Sequence, residues 1–82
     1  MPISLPDLAA VAAAVRFDSE HLYIGLADGR ELRVPLAWFP RLLAATPEQR
    51  SHWRLIGGGE GIHWPDVDED VSVAHVLGLP ED

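Results

Sequence analysis

Apolar and polar positions alternate along the first half of the chain. Val15 and Phe17 alternate with Arg16 and Asp18, and Leu22, Ile24 and Leu26 alternate with His21, Tyr23 and Gly25. Leu32 and Val34 then alternate with Glu31 and Arg33. A period of two predicts strands that bury one face and wet the other. Asp28-Gly29 is a hairpin signal, because both residue types tolerate positive φ. Asp18-Ser19-Glu20 supplies the other tight turn. Three consecutive antiparallel strands follow, joined as a meander.

The period breaks at Pro35. Pro40 suits the first position of a helix, Leu42 and Leu43 stand behind it, and Pro47 ends that helix near Ala45. Thr46-Pro47-Glu48-Gln49 starts the next one: Thr46 caps, Pro47 sits at N1 and Gln49 completes a capping box. This second helix is expected to run to about His52 or Trp53. Leu55-Ile56 and Ile62-His63-Trp64 read as two short strands around the glycine loop 57–61. Ser72 caps a final short helix through Leu77, closed by Gly78. The Ala-rich stretch 7–14 reads as a short N-terminal helix.

The expected fold is therefore α+β, a three-stranded antiparallel meander covered on one face by short helices. A C-terminal strand pair and a terminal helix complete it. Phe17, Leu22, Ile24, Leu26, Leu32, Val34, Leu42 and Trp64 should form the core. Trp38 and Phe39 are neighbours at a helix start and cannot both point inward, so one of them is left as a contact anchor beside Arg41.

Eighty-two residues allow one domain with a small core. A core of that size is commonly supported by a staple or a partner, and with no cysteine in the chain disulfides are excluded. Together with the open strand edges, this makes a homodimer or a protein partner the expectation. The longest apolar run is too short to span a bilayer and no secretory leader is recognisable, so the chain reads as cytoplasmic.

Charge is distributed unevenly. Residues 1–54 hold six acids and six arginines, whereas residues 55–82 hold seven acids and no base, so the whole −7 lies in the last third. With no lysine anywhere, direct nucleic-acid binding is not expected. Asp66, Asp68, Glu69 and Asp70 crowd into five positions, with no arginine after Arg54. One of these carboxylates is expected at the helix start at Ser72, and the rest on a partner-facing patch.

No catalytic, cofactor or metal site emerges. Asp66-Val67-Asp68-Glu69-Asp70 begins like a calcium loop, but Val71 replaces the turn glycine and Leu77 the bidentate glutamate. His63 and His75 match no ligand spacing. The glycine loop lacks the Lys-Ser or Lys-Thr of a phosphate loop, and Glu60 would repel phosphate. An enzyme is not expected. The residues assigned to partner binding are Asp66, Asp68, Glu69, Asp70, His63, Trp38 and Arg41, with His63 pointing outward beside the acids.

Leu26–Arg30, Val34–Leu43, Ala45–Arg50 and Gly61–Val73 together make the chain resemble the bacterial domain-of-unknown-function 2442 family over about residues 15–77, with 1–14 and 79–82 as flanks of one domain. The resemblance implies a small α+β fold. It also implies a genomic habit, in which the gene stands second in a two-gene operon beside a compact basic protein, as in toxin–antitoxin pairs. The reading is thus an acidic, non-enzymatic interaction module, antitoxin-like toward a small basic protein. The alternative is a regulatory or dimerisation domain of a transcription regulator, since some members carry a helix-turn-helix segment after this domain. None is recognisable in this chain.

Overall fold

The computed structural model describes residues 11–78. Strands β1 (Ala12–Phe17), β2 (His21–Leu26) and β3 (Glu31–Pro35) form the expected meander. A 3-10 turn (Leu36–Trp38), α1 (Pro40–Leu43) and α2 (Pro47–Ser51) follow. Then come β4 (Arg54–Ile56), a glycine turn (Gly57–Gly59), β5 (Gly61–Trp64), β6 (Glu69–Ser72) and α3 (Val73–Leu77). The C-terminal strand pair is present and gains a third member, giving a second antiparallel sheet in the order β4-β5-β6.

The third member is the acidic run itself. Asp68 takes φ 54, a left-handed turn position that short polar side chains tolerate, and so reverses the chain after Trp64. Glu69 then pairs with Trp64 and Val71 with Ile62. Val71 points into the core. The acids are therefore held in a turn and a strand, not gathered at the helix. Ser72 caps α3 alone, accepting from the His75 N–H, and the first turn of α3 carries no acid.

The remaining local signals are mostly met. Thr46 and Gln49 exchange both capping-box bonds around Pro47. The helix stops at Ser51, before His52 and Trp53, because His52 leaves helical geometry at the C-cap. In the β2–β3 hairpin only Gly29 takes positive φ (95°), and Asp28 instead accepts the Arg30 N–H at 2.9 Å. The Ala-rich start is not helical where it is described. Ala12–Ala14 belong to β1, with a bulge between Ala12 and Ala14, because pairing to β2 outweighs the weak helix preference of alanine. Residues 7–10 of that expected helix lie outside the described residues.

The two sheets share one core. Leu22, Ile24, Leu26 and Val34 from the first sheet are buried, as are Ile62, Trp64 and Val71 from the second. Leu36, Leu42, Val73 and Ala12 join them. Phe17 and Leu32 pack against this cluster but stay half-buried. Trp64 is wholly buried, its indole N–H donates to the Arg50 carbonyl at 3.0 Å, and Phe17 meets it edge-on at 6.1 Å. Arg50 in turn donates to the carbonyls of Leu42 and Leu43, closing the end of α1.

Two variants test this account. Trp64→Ala should cost about 3–5 kcal/mol, a large part of the roughly 5–15 kcal/mol such domains have. A melting temperature within a degree or two of the parent, allowing ~ for scan error, would show that Trp64 is not the core it looks to be. Gly59→Ala should also destabilise, since Gly59 has φ +105° and a Cβ there would come 2.5 Å from the Ala12 carbonyl oxygen. Chemical denaturation reads both, and wild-type stability for Gly59→Ala would mean the glycine turn does not press on β1.

Candidate functional site

The turn 65–68 and β6 carry the acidic segment on the outside of the second sheet, and the fold brings one arginine and two histidines to it. His52, just past α2, donates from Nδ1 to Asp66 Oδ2 at 2.7 Å. Arg41 reaches from α1 to the Asp68 carbonyl at 2.5 Å, with the Asp68 carboxylate 3.9 Å away. His63 on β5 lies directly across from Asp70 on β6, and its Nδ1 bonds the Asp70 carboxylate. Glu69 makes no ion pair among the described residues.

This corrects the expectation of an unneutralised cluster. The partners of these acids lie upstream in sequence, and the fold delivers them to the acids. The turn remains open to solvent even so, for the Asp68 side chain is 91% exposed and that of Asp70 is 70% exposed. His63 faces outward beside the acids as expected, half-buried between its strand neighbours.

Of the adjacent aromatic pair, Trp38 is the exposed member at 60%, while Phe39 packs against the core. Leu43 on α1 is exposed as well. The 36–43 segment thus presents Trp38, Arg41 and Leu43 to solvent, with Arg41 joining it to the acidic turn. Among the described residues no group of three or more His, Cys, Asp or Glu is placed to hold a metal ion. No helix of the described residues is long and apolar enough to cross a membrane.

Two features escaped the sequence pattern. One is His52, which reads as a helix-end residue and becomes the partner of Asp66. The other is a groove of about 470 Å³ lined by Val15–Ser19 of the β1 edge on one side and by Pro47, Arg50, Ser51 and Trp53 on the other. At its end Asp18 is tightly held: its carboxylate accepts the N–H of Glu20 (2.8 Å), the N–H of His21 (2.7 Å) and the Tyr23 hydroxyl (2.7 Å). The Glu20 N–H, then the Tyr23 hydroxyl, pull the Asp18 carboxyl down to about 2, and the same bond raises the Tyr23 phenol.

The His52–Asp66 contact makes stability depend on pH. The hydrogen bond to Asp66 raises the His52 imidazole above its ordinary value of 6.5. A raised histidine contributes stability that is fully present below the unfolded value and is lost as pH rises through the folded one. His52→Gln should therefore lower the melting temperature most below about pH 6.5 and converge on the parent at about pH 9. The effect is small because the pair is exposed. Equal destabilisation at both pH values would mean that packing, not charge, explains His52.

Among curated proteins nothing matches the chain. Two solved structures are similar. One is the solution NMR structure of an uncharacterized protein from Chromobacterium violaceum, with TM-score 0.74 and 26% identity over 90% of this chain and 70% of that one. The other is the crystal structure of a protein of unknown function from Rhodospirillum rubrum, with TM-score 0.69 and 27% identity over 88% of this chain and 90% of that one. The model of the family described as "Protein of unknown function (DUF2442)" matches residues 12–78, from the first strand to the glycine that closes α3. The chain belongs to the DUF2442 family.

Proposed function

We propose that this domain is a non-enzymatic interaction module whose acidic turn 65–70 docks a small basic protein, in the manner of an antitoxin covering its toxin. The observation that carries this reading is the charge: residues 55–82 hold seven acids and no lysine or arginine, and the Asp68 and Asp70 side chains stand 91% and 70% exposed on one turn and the strand that follows it. A preformed acidic surface steers a cationic partner and suppresses wrong ones, adding to on-rate and specificity more than to affinity. The genomic habit that the family resemblance implies, a neighbouring compact basic gene product, fits the same reading.

The pairing within the turn refines the mechanism. Arg41, bonded to the Asp68 carbonyl and 3.9 Å from its carboxylate, and His63, bonded to Asp70, stand beside the acids in the free chain, so an incoming cation competes with internal partners. The acid of each contact is largely solvent-exposed, so the exchange costs little. Trp38 and Leu43, exposed on the segment that carries Arg41, supply apolar contact where the charges give direction.

Capture by the tagged chain from its native host tests the proposal. The wild type should retain a small basic protein, and the triple variant Asp68→Asn, Glu69→Gln, Asp70→Asn should fold normally and retain much less of it. Association measured with the captured protein should slow for the variant and lose much of its salt dependence. An acidic or uncharged partner, or a rate indifferent to the three substitutions at low salt, counts against the acidic turn as the docking surface.

A further inference from the structure

Among the described residues, no strand pairs with the outer edge of β1. Asp18 donates its N–H to the His21 carbonyl at 3.1 Å, which makes 18–21 a hydrogen-bonded pair of the β1–β2 ladder. The register pairs Arg16 with Tyr23 and Phe17 with Leu22. Hydrogen-bonded and non-bonded pairs alternate in an antiparallel ladder, so Arg16 also bonds inward. Val15 and Phe17 then turn their N–H and C=O groups away from β2. These are the groups at the groove. Its wall contains five consecutive residues, Val15 to Ser19, of both side-chain parities, so the wall is the strand's edge and not one of its faces.

We propose that this edge pairs with the same edge of a second copy of the chain, antiparallel and centred on Phe17, to join two meanders into one six-stranded sheet. Register selects this arrangement. Centring on Arg16 would set two guanidinium groups opposite each other, which destabilises a pair. Centring on Val15 would drive the partner strand toward Ala12, where Gly59 already presses on the β1 backbone. Centring on Phe17 sets Arg16 opposite Asp18 of the partner subunit, twice across the two-fold axis.

The chemistry at each position suits that register. Asp18 is ionised throughout the ordinary pH range and is exposed. Arg16 is exposed too, held over the Tyr23 ring at 3.8 Å and paired with Glu31 at 3.1 Å, so it is preorganised on the outer face. Phe17 is only half-buried, and in the paired sheet the partner's Phe17 lies beside it at the groove, against Trp53. An isologous contact of one short strand is small, which places the dimer at the weak end of specific association. This inference is independent of the acidic turn, which lies on the other sheet.

Sedimentation equilibrium and amide exchange test it on the full chain. A monomer–dimer equilibrium in the micromolar range is expected, loosened by salt. Arg16→Glu should weaken it by several-fold to about tenfold, because each Asp18 would then face a like charge. Arg16→Lys should keep most of it, and Arg33→Glu, on the opposite edge strand, should leave it unchanged. The N–H groups of Val15 and Phe17 should exchange rapidly in dilute protein and gain protection as concentration rises, a readout that needs no variant. A monomer at all concentrations, a dimer indifferent to Arg16→Glu or weakened by Arg33→Glu, or unprotected Val15 and Phe17 amides in the dimer would each overturn the proposal.

Discussion

The rest of the structure hangs on the burial of one indole. Trp64 belongs to the second sheet, touches Phe17 from the first, and bonds the carbonyl of Arg50 from α2. Without that bond a buried N–H would be left unsatisfied, at a cost of roughly 1–3 kcal/mol. The Arg50 side chain in turn holds the last carbonyls of α1, so α1 and α2, each a single short turn or so, are fixed by tertiary bonds. Helices of four and five residues have too little cooperativity to stand alone. A domain this small orders its middle segment by tying it to its largest core residue.

That dependence explains what the sequence made legible. Leu22, Ile24, Leu26 and Val34 could be assigned inward by alternation alone, and Thr46-Pro47-Glu48-Gln49 and Ser72 could be assigned as caps, because each signal is complete within a few residues. β6 could not. Asp-Glu-Asp has poor strand propensity, and only the pairing of Val71 with Ile62 and the left-handed Asp68 make it a strand. Ala12–Ala14 misled in the opposite direction, reading as helix by composition and folding as strand by pairing. Both are cases where a neighbouring strand overrides local preference.

The candidate site shows the same division. The acids, His63, Trp38 and Arg41 could be singled out as residues, but their mutual placement could not. Arg41 stands twenty-seven residues before Asp68 and His52 fourteen before Asp66, so a linear count of charge sees an uncompensated run where the fold builds pairs. Compensation at this distance is weak in energy, since at least one partner of each pair is open to solvent. Its consequence is geometric: the turn 65–68 is held at Asp66 by the chain after α2 and at Asp68 by α1, and so presents Asp68 and Asp70 in a fixed frame before any partner arrives.

The two surfaces thereby differ in kind. The acidic turn offers charge on an ordered scaffold, held by side-chain contacts from Arg41, His52 and His63. The β1 edge offers backbone groups that no described strand pairs, and a strand laid along it would also cover the Phe17 and Trp53 side chains. Natural sheets usually block such an edge with proline, lysine or a cover. Here the glycine turn covers the Ala12 end, and Pro35 and the turn after it end β3, yet among the described residues no strand pairs with Val15 and Phe17 on the side away from β2. In a chain with this little core, an edge left open beside an aromatic groove is better explained by use than by neglect, because an unguarded edge otherwise costs solubility and returns nothing to stability.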